Sequence, residues 1–164
     1  MIYADISKAF IKVHFVDRAL FCPHIQARSI VEVYQQIVDC FYEKEGLGYD
    51  EKQIIMNILL ERESQITTYM GNGVALPHIT VTQTPAIANK IGWFRCPEGI
   101  DTRSGKRRTI RVFLCIVASG GLSVLTGIGL EIVRQGALVE ALMNASTVGD
   151  MKRVIVKGIE QISL

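Results

Sequence analysis

Thr109-Ile-Arg-Val-Phe-Leu-Cys-Ile-Val-Ala118 decides the fold. Ile110, Val112, Leu114 and Ile116 fall on one face of this strand, and Phe113, Cys115 and Val117 on the other. A strand apolar on both faces is central in its sheet and covered on both sides. Downstream, Gly120-Gly121 turns the chain into a helix using Leu125, Ile128, Ile132 and Val133, and Gly136–Asn144 continues it after a kink. The last helix starts near Thr147 and is expected to bury Met151, Val154, Ile155, Ile159 and Ile162.

Upstream, Lys90–Phe94 reads as a second strand, broken by Pro97-Glu98-Gly99. Further back, Gly71-Asn72-Gly73 makes a turn before the short apolar run Val74–Leu76. Two helices precede it. One is capped by Ser29 and Glu32 at capping-box spacing, carries the stripe Ile30, Val33, Tyr34, Ile37 and Phe41, and stops at Gly46. The other takes Asp50 as its N-cap and runs through IIMNILLERE, with apolar residues on more than one face, so deep burial is expected. Ala19–Ile25 reads as an edge strand despite Pro23. Helices before, between and after the strands predict an α/β fold, a mixed sheet with helices packed on both faces.

The 164 residues suit one domain over 1–164, with 1–18 the least certain segment. At 49% hydrophobic and 21% charged, the composition is that of a folded chain and excludes disorder. No apolar run is long enough for a membrane span, and the first residues lack the pattern of a secretory signal. A cytoplasmic protein is expected. Lys plus Arg number 18 against 16 Asp plus Glu, too even a balance to argue for nucleic acid or a membrane surface as partner. Cys22, Cys40, Cys96 and Cys115 form no CxxC pair and sit among apolar residues, which reads as reduced structural thiols and no metal site.

Two glycine patterns carry no chemistry. Gly99 to Gly105-Lys106-Arg107 has one residue too many for a phosphate-binding P-loop, has Arg107 in place of Ser or Thr, and precedes a strand. A charged hairpin loop fits it better. Gly127 and Gly129 lie inside an apolar helix, where close packing accounts for them.

The informative segment is Gly71-Asn72-Gly73-Val74-Ala75-Leu76-Pro77-His78. Asn72-Gly73 permits the positive φ of a tight turn. Pro77 fixes φ and removes an amide donor just before the histidine. Both a reactive imidazole and a hairpin followed by a structural histidine fit this pattern. Spacing does not separate them.

The string GNGVALPH resembles the active-histidine motif of the mannitol/fructose-type enzyme IIA domains of the bacterial phosphoenolpyruvate-dependent sugar phosphotransferase system, whose members include a nitrogen-regulatory branch. Leu60-Glu61-Arg62-Glu63 is similar to that family's Arg-Glu segment at a helix end. Thr67-Thr68 stands where the family has Ser-Thr, and Glu98-Gly99-Ile100-Asp101 with the following strand resembles its Gly-Ile-Asp segment. The resemblance runs from about Ala19 to the end of the chain and is densest over Arg62–His78.

It implies that His78 accepts a phosphoryl group from an HPr-type phosphocarrier, attacking through Nε2, with Arg62 stabilising the phosphoryl oxygens. It also suggests phosphate-binding support from Thr68 and from the amides of Gly71, Asn72 and Gly73. No metal or organic cofactor is needed. A recipient enzyme IIB or a regulated protein is the implied downstream partner. Two departures stand out. Gly121 occupies the place of the family's second active-site histidine, and Tyr69 replaces a small glycine. Losing a hydrogen-bond donor to phosphate costs about 1.5–3 kcal/mol of charged hydrogen bonding. Two functions therefore compete: a histidine phosphocarrier, and a binding module that kept the fold but transfers poorly. His14 and His24 match neither histidine motif.

Overall fold

The computed structural model describes residues 7–46, 48–65, 69–80, 89–101, 109–118 and 123–163. In chain order these form α1 (Lys8–Lys12), a π-helical turn (Val13–Asp17), β1 (Leu20–Cys22), α2 (Ile30–Glu45), α3 (Tyr49–Gln65), β2 (Tyr69–Gly71), β3 (Val74–Ala75) and β4 (His78–Thr80). Then follow β5 (Lys90–Asp101), β6 (Thr109–Ala118), α4 (Ser123–Val133), α5 (Gly136–Met143) and α6 (Val148–Glu160).

The sheet order is β1-β5-β6-β3-β2, with β4 also paired to β6. β5 runs antiparallel to β6, while β1 is parallel to β5, and β3 and β4 are parallel to β6. The sheet is mixed, as expected. β3 and β4 keep one register along β6, from Val74 opposite Val112 to Thr80 opposite Ala118. Pro77 interrupts the ladder because it has no amide hydrogen. Its carbonyl still accepts from the Ile116 amide at 3.0 Å.

Both faces of the sheet are covered. Val112, Leu114 and Ile116 pack with Ile11 and Phe15 of the N-terminal segment and with Leu125, Ile132, Met151 and Ile155 of α4 and α6. Phe113, Cys115 and Val117 pack against Val33, Tyr34, Ile37 and Phe41 of α2 and Ile55 and Leu59 of α3. Ile110 departs from simple alternation and joins the Phe113 side, at the end of β6 paired beyond a register shift in β5.

Local signals explain most of the helices. Ser29 is extended at φ −145° and its hydroxyl accepts from the Glu32 amide at 3.2 Å, while Glu32 returns to the Arg28 amide. Gly46 closes α2 in the left-handed region at φ 70°. Thr147 caps α6 through the Asp150 amide. Gly129 approaches β6 so closely that a Cβ there would stand 2.9 Å from Ile116 Cδ1 and 3.1 Å from Leu114 Cδ2. Close packing is its reason. The helix expected through Leu125–Val133 is α4, and its expected continuation over Gly136–Asn144 is a separate helix, α5, with the break at Arg134-Gln135, where the kink is expected.

Several expectations need correction. Pro97-Glu98-Gly99 does not end the strand; β5 passes through it with a register shift between Arg95 and Ile100, and Gly99 takes φ 76°. α3 begins before Asp50, which lies in its first turn, where a carboxylate complements the helix dipole. Nor is α3 deeply buried. Among its described side chains only Ile55 and Leu59 are fully inside, and Ile54, Met56, Ile58 and Leu60 are half-buried along its flanks. The edge strand within Ala19–Ile25 is confined to Leu20–Cys22, ending at Pro23. Val154 is only half-buried. The loop read over 102–108 lies outside the described residues.

The N-terminal segment joins the same core. Ile11 and Phe15 are fully buried, Trp93 Nε1 donates to the Phe15 carbonyl at 2.9 Å, and Lys8 Nζ donates to the Glu160 carbonyl at 2.6 Å.

Candidate functional site

His78 opens β4, beside Ile116 near the carboxyl end of β6. Alternation along the strand places its side chain on the side of Val74 and Leu76, facing the α4–α6 layer. Arg62 comes from the last turns of α3, in the opposite layer. They meet where the end of α3 packs beside β4, which has no strand paired outboard of it among the described residues.

Arg62 Nη2 lies 2.7 Å from His78 Nε2, and His78 Nδ1 lies 3.1 Å from the Leu76 carbonyl oxygen. An arginine has only donors and a carbonyl only accepts. Nε2 is therefore the acceptor, and Nδ1 carries the proton it donates to Leu76. One tautomer satisfies both bonds. The imidazole is half-buried and the guanidinium exposed, so Nε2 and its cationic neighbour sit at the surface. Behind them, the fully buried Tyr34 donates its hydroxyl to Glu63 Oε2 at 2.7 Å, tying α2 to the turn that carries Arg62.

The glycine turn lies elsewhere. Gly71, Asn72 and Gly73 take φ values of 94°, 54° and 80° and join β2 to β3 as a hairpin. The Gly73 carbonyl accepts from the amides of Arg111 and Val112, at 2.8 and 3.2 Å. The Gly73 amide faces the Tyr69 hydroxyl at a long 3.5 Å. The continuous register along β6 makes the five-residue path from Gly73 to His78 an extended one. At about 3.3 Å per residue that is about 16 Å. The turn thus sits at the other end of the strand from His78, too far for its amides to hold a phosphoryl group on Nε2. The expectation of a glycine-turn cradle is corrected on this ground.

Thr68 and Gly121 lie outside the described residues. The other histidines stand apart from this pair. His24 is exposed, whereas His14 is half-buried, stacks on Phe10 at 4.5 Å and lies near Lys90 and Arg18. Among the described residues no group of three or more His, Cys, Asp or Glu side chains could hold a metal ion. The four cysteines are free thiols; burial pushes Cys96 up, Cys40 to about 11 and Cys115 to about 12, which keeps these three protonated at neutral pH. No helix among the described residues is long and apolar enough to cross a membrane.

Sequence reasoning placed Tyr34 on the buried stripe of α2 but assigned it no part in the site. The signal was a hydroxyl among Val33, Ile37 and Phe41, a polar atom that needs a partner when buried.

An exposed arginine aimed at the free nitrogen of a tautomer-fixed histidine, on a mixed sheet between two helical layers, defines an α/β protein with an imidazole lone pair held at its surface. The chain belongs to the family described as phosphoenolpyruvate-dependent sugar phosphotransferase system, EIIA 2, whose profile matches residues 14–157. It is 26% identical over 112 residues to the multiphosphoryl transfer protein of Escherichia coli O157:H7, a match covering 66% of this chain. The matched region spans only about 30% of that relative's length. Among solved structures, the nitrogen regulatory protein IIA-Ntr of Neisseria meningitidis superposes with a TM-score of 0.66 at 16% identity, over 88% of this chain and 98% of that one. The Escherichia coli complex of mannitol enzyme IIA with phosphorylated enzyme IIB gives a TM-score of 0.65 at 15% identity, over 84% and 94% of the two chains. These likenesses show the fold.

Proposed function

We propose that the chain is a phosphoryl carrier of the enzyme IIA type, with Nε2 of His78 as acceptor. The observation that carries this is the Arg62–His78–Leu76 arrangement: Nε2 is unprotonated, Nδ1 is anchored at 3.1 Å, and a guanidinium stands 2.7 Å from the reacting nitrogen. The Nε2 lone pair attacks the phosphorus of a phosphohistidine on an HPr-type carrier. The donor's N–P bond breaks, an N–P bond to Nε2 forms, and the donor imidazole takes back its electron pair. Because Nδ1 keeps its proton on Leu76, no proton has to leave His78 during transfer. Arg62, displaced from Nε2, pairs with the phosphoryl oxygens. Charge stabilisation of this kind supplies most of the catalysis when the transition state is loose.

The partners of this reading are an HPr-type donor and, downstream, an enzyme IIB or a regulated protein. On this reading the whole chain acts as one unit in the cytoplasm, and Thr68 supports the transferred phosphoryl group. Incubation with phosphoenolpyruvate, enzyme I and HPr, followed by intact mass under non-acidic conditions, tests the acceptor. His78→Ala must lose the added phosphoryl group.

A second reading is favoured by Gly121, which stands where the family carries another histidine. Without that donor, the chain is a regulatory binding module whose phosphotransfer is impaired. Phosphorylation of His78 at the rate of an intact enzyme IIA excludes it.

A further inference from the structure

Tyr34 is wholly buried in the layer between α2 and the sheet, among Val33, Ile37, Val38 and Phe41. A hydroxyl carried into such surroundings is costly unless it is hydrogen-bonded. Phenylalanine would fill the same space without that cost, so the hydroxyl needs a local reason. Its partner is Glu63 Oε2 at 2.7 Å, and Glu63 directly follows Arg62 on α3.

The rest of α3 shows why this bond matters. Among the residues of α3 whose burial is described, the fully buried ones, Ile55 and Leu59, both precede Arg62. Helix ends fray, and a bond to the interior near the last turn steadies them. The Tyr34–Glu63 bond supplies an anchor one residue from the guanidinium. It also engages the Glu63 carboxylate from the α2 side of the helix.

The geometry points to Tyr34 as a positioning residue for phosphoryl transfer: through Glu63, its hydroxyl holds Arg62 over Nε2 of His78. The kinetic part of this inference rests on His78 being the acceptor; the structural part does not.

The test compares Tyr34→Phe, Arg62→Ala and the double variant with the unmodified chain. The first readout is the ¹⁵N chemical shift of His78 Nε2 at a pH where the ring is neutral. Tyr34→Phe is expected to move it toward the value in Arg62→Ala, as the guanidinium bond is lost. An unchanged shift overturns the proposal. Transfer from a phosphorylated HPr-type carrier is expected to slow about 3- to 10-fold in Tyr34→Phe. In the Arg62→Ala background the same change is expected to add nothing, because both act through one interaction. A full additional loss there identifies Tyr34 as merely structural.

Glu63→Gln retains an amide oxygen for the Tyr34 hydroxyl and is expected to keep the Nε2 shift near its original value; Glu63→Ala is expected to reproduce Tyr34→Phe. The glutamate variants decide the matter if Tyr34→Phe does not fold. If the unmodified chain accepts no phosphoryl group, the carrier reading fails while the ¹⁵N comparison still decides the positioning role.

Discussion

Arg62 Nη2 and His78 Nε2, sixteen residues apart in sequence and supplied by α3 and β4, stand 2.7 Å from each other. The guanidinium donates to the lone pair through which the imidazole would react. In this structure it fixes the tautomer; in the proposed mechanism it moves to the phosphoryl oxygens during transfer.

Removing that cation tests its part directly. Arg62→Ala is expected to slow phosphorylation of His78 roughly 10- to 100-fold, the equivalent of about 1.5–3 kcal/mol for charged hydrogen bonds. Arg62 is exposed, so thermal stability is expected to stay near its original value. Rapid-quench labelling and a melting curve on the same preparation check both halves.

Gly121 is the departure expected to limit the rate. Gly121→His is expected to accelerate transfer to His78, read by single-turnover labelling from phosphorylated HPr. An unchanged rate shifts the limitation to another feature, with Tyr69 the next to replace by glycine.

The N-terminal segment carries a pH-dependent element. Burial, followed by the charges of Arg18 and Lys90, lowers the pKa of His14. Its Nδ1 is buried without a hydrogen-bond partner among the described residues. A base whose folded pKa lies below its unfolded value of about 6.5 binds fewer protons when folded. Its contribution is retained above that pH and lost as the pH falls below it. Denaturant midpoints at pH 7.5 and 5.0 are expected to differ more in the original chain than in His14→Gln.

Gly129 tests the packing of α4 on the sheet. Valine there would drive its branches into Ile116 and Leu114, whose methyls already stand 2.9 and 3.1 Å from a Cβ position. Overpacking of this kind costs about 1–3 kcal/mol. The melting temperature is expected to fall by about 3–10 °C, a shift scanning calorimetry resolves.

Much of the fold was legible because its signals are local. Ser29, Gly46 and Thr147 bound helices through caps that depend on one turn of chain, and Thr109–Ala118 announced itself by apolar residues on both faces. Where tertiary placement decides, the sequence misled. Apolar residues around α3 promised deep burial, yet the helix packs mainly against α2 and β4 and leaves its flanks half-exposed. Pro97-Glu98-Gly99 looked like a strand end, but Gly99 at φ 76° lets β5 bend and resume pairing at Ile100.

The site divides in the same way. The GNGVALPH string marked His78, but not that its turn lies about 16 Å of strand away from the imidazole. No period of helix or strand brings Arg62 to His78. Their meeting depends on how α3 packs beside β4, and only family resemblance anticipated it. The Tyr34–Glu63 bond was hidden for a related reason, since a tyrosine on a buried stripe looks like any other core residue until its hydroxyl has a partner.

The most direct measurement is the intact mass of the protein after incubation with phosphoenolpyruvate, enzyme I and HPr under non-acidic conditions, with a known enzyme IIA as control. Gain of one phosphoryl group, absent in His78→Ala, is the predicted result. Equal labelling of His78→Ala, or no gain while the control is fully labelled, contradicts His78 as the working acceptor.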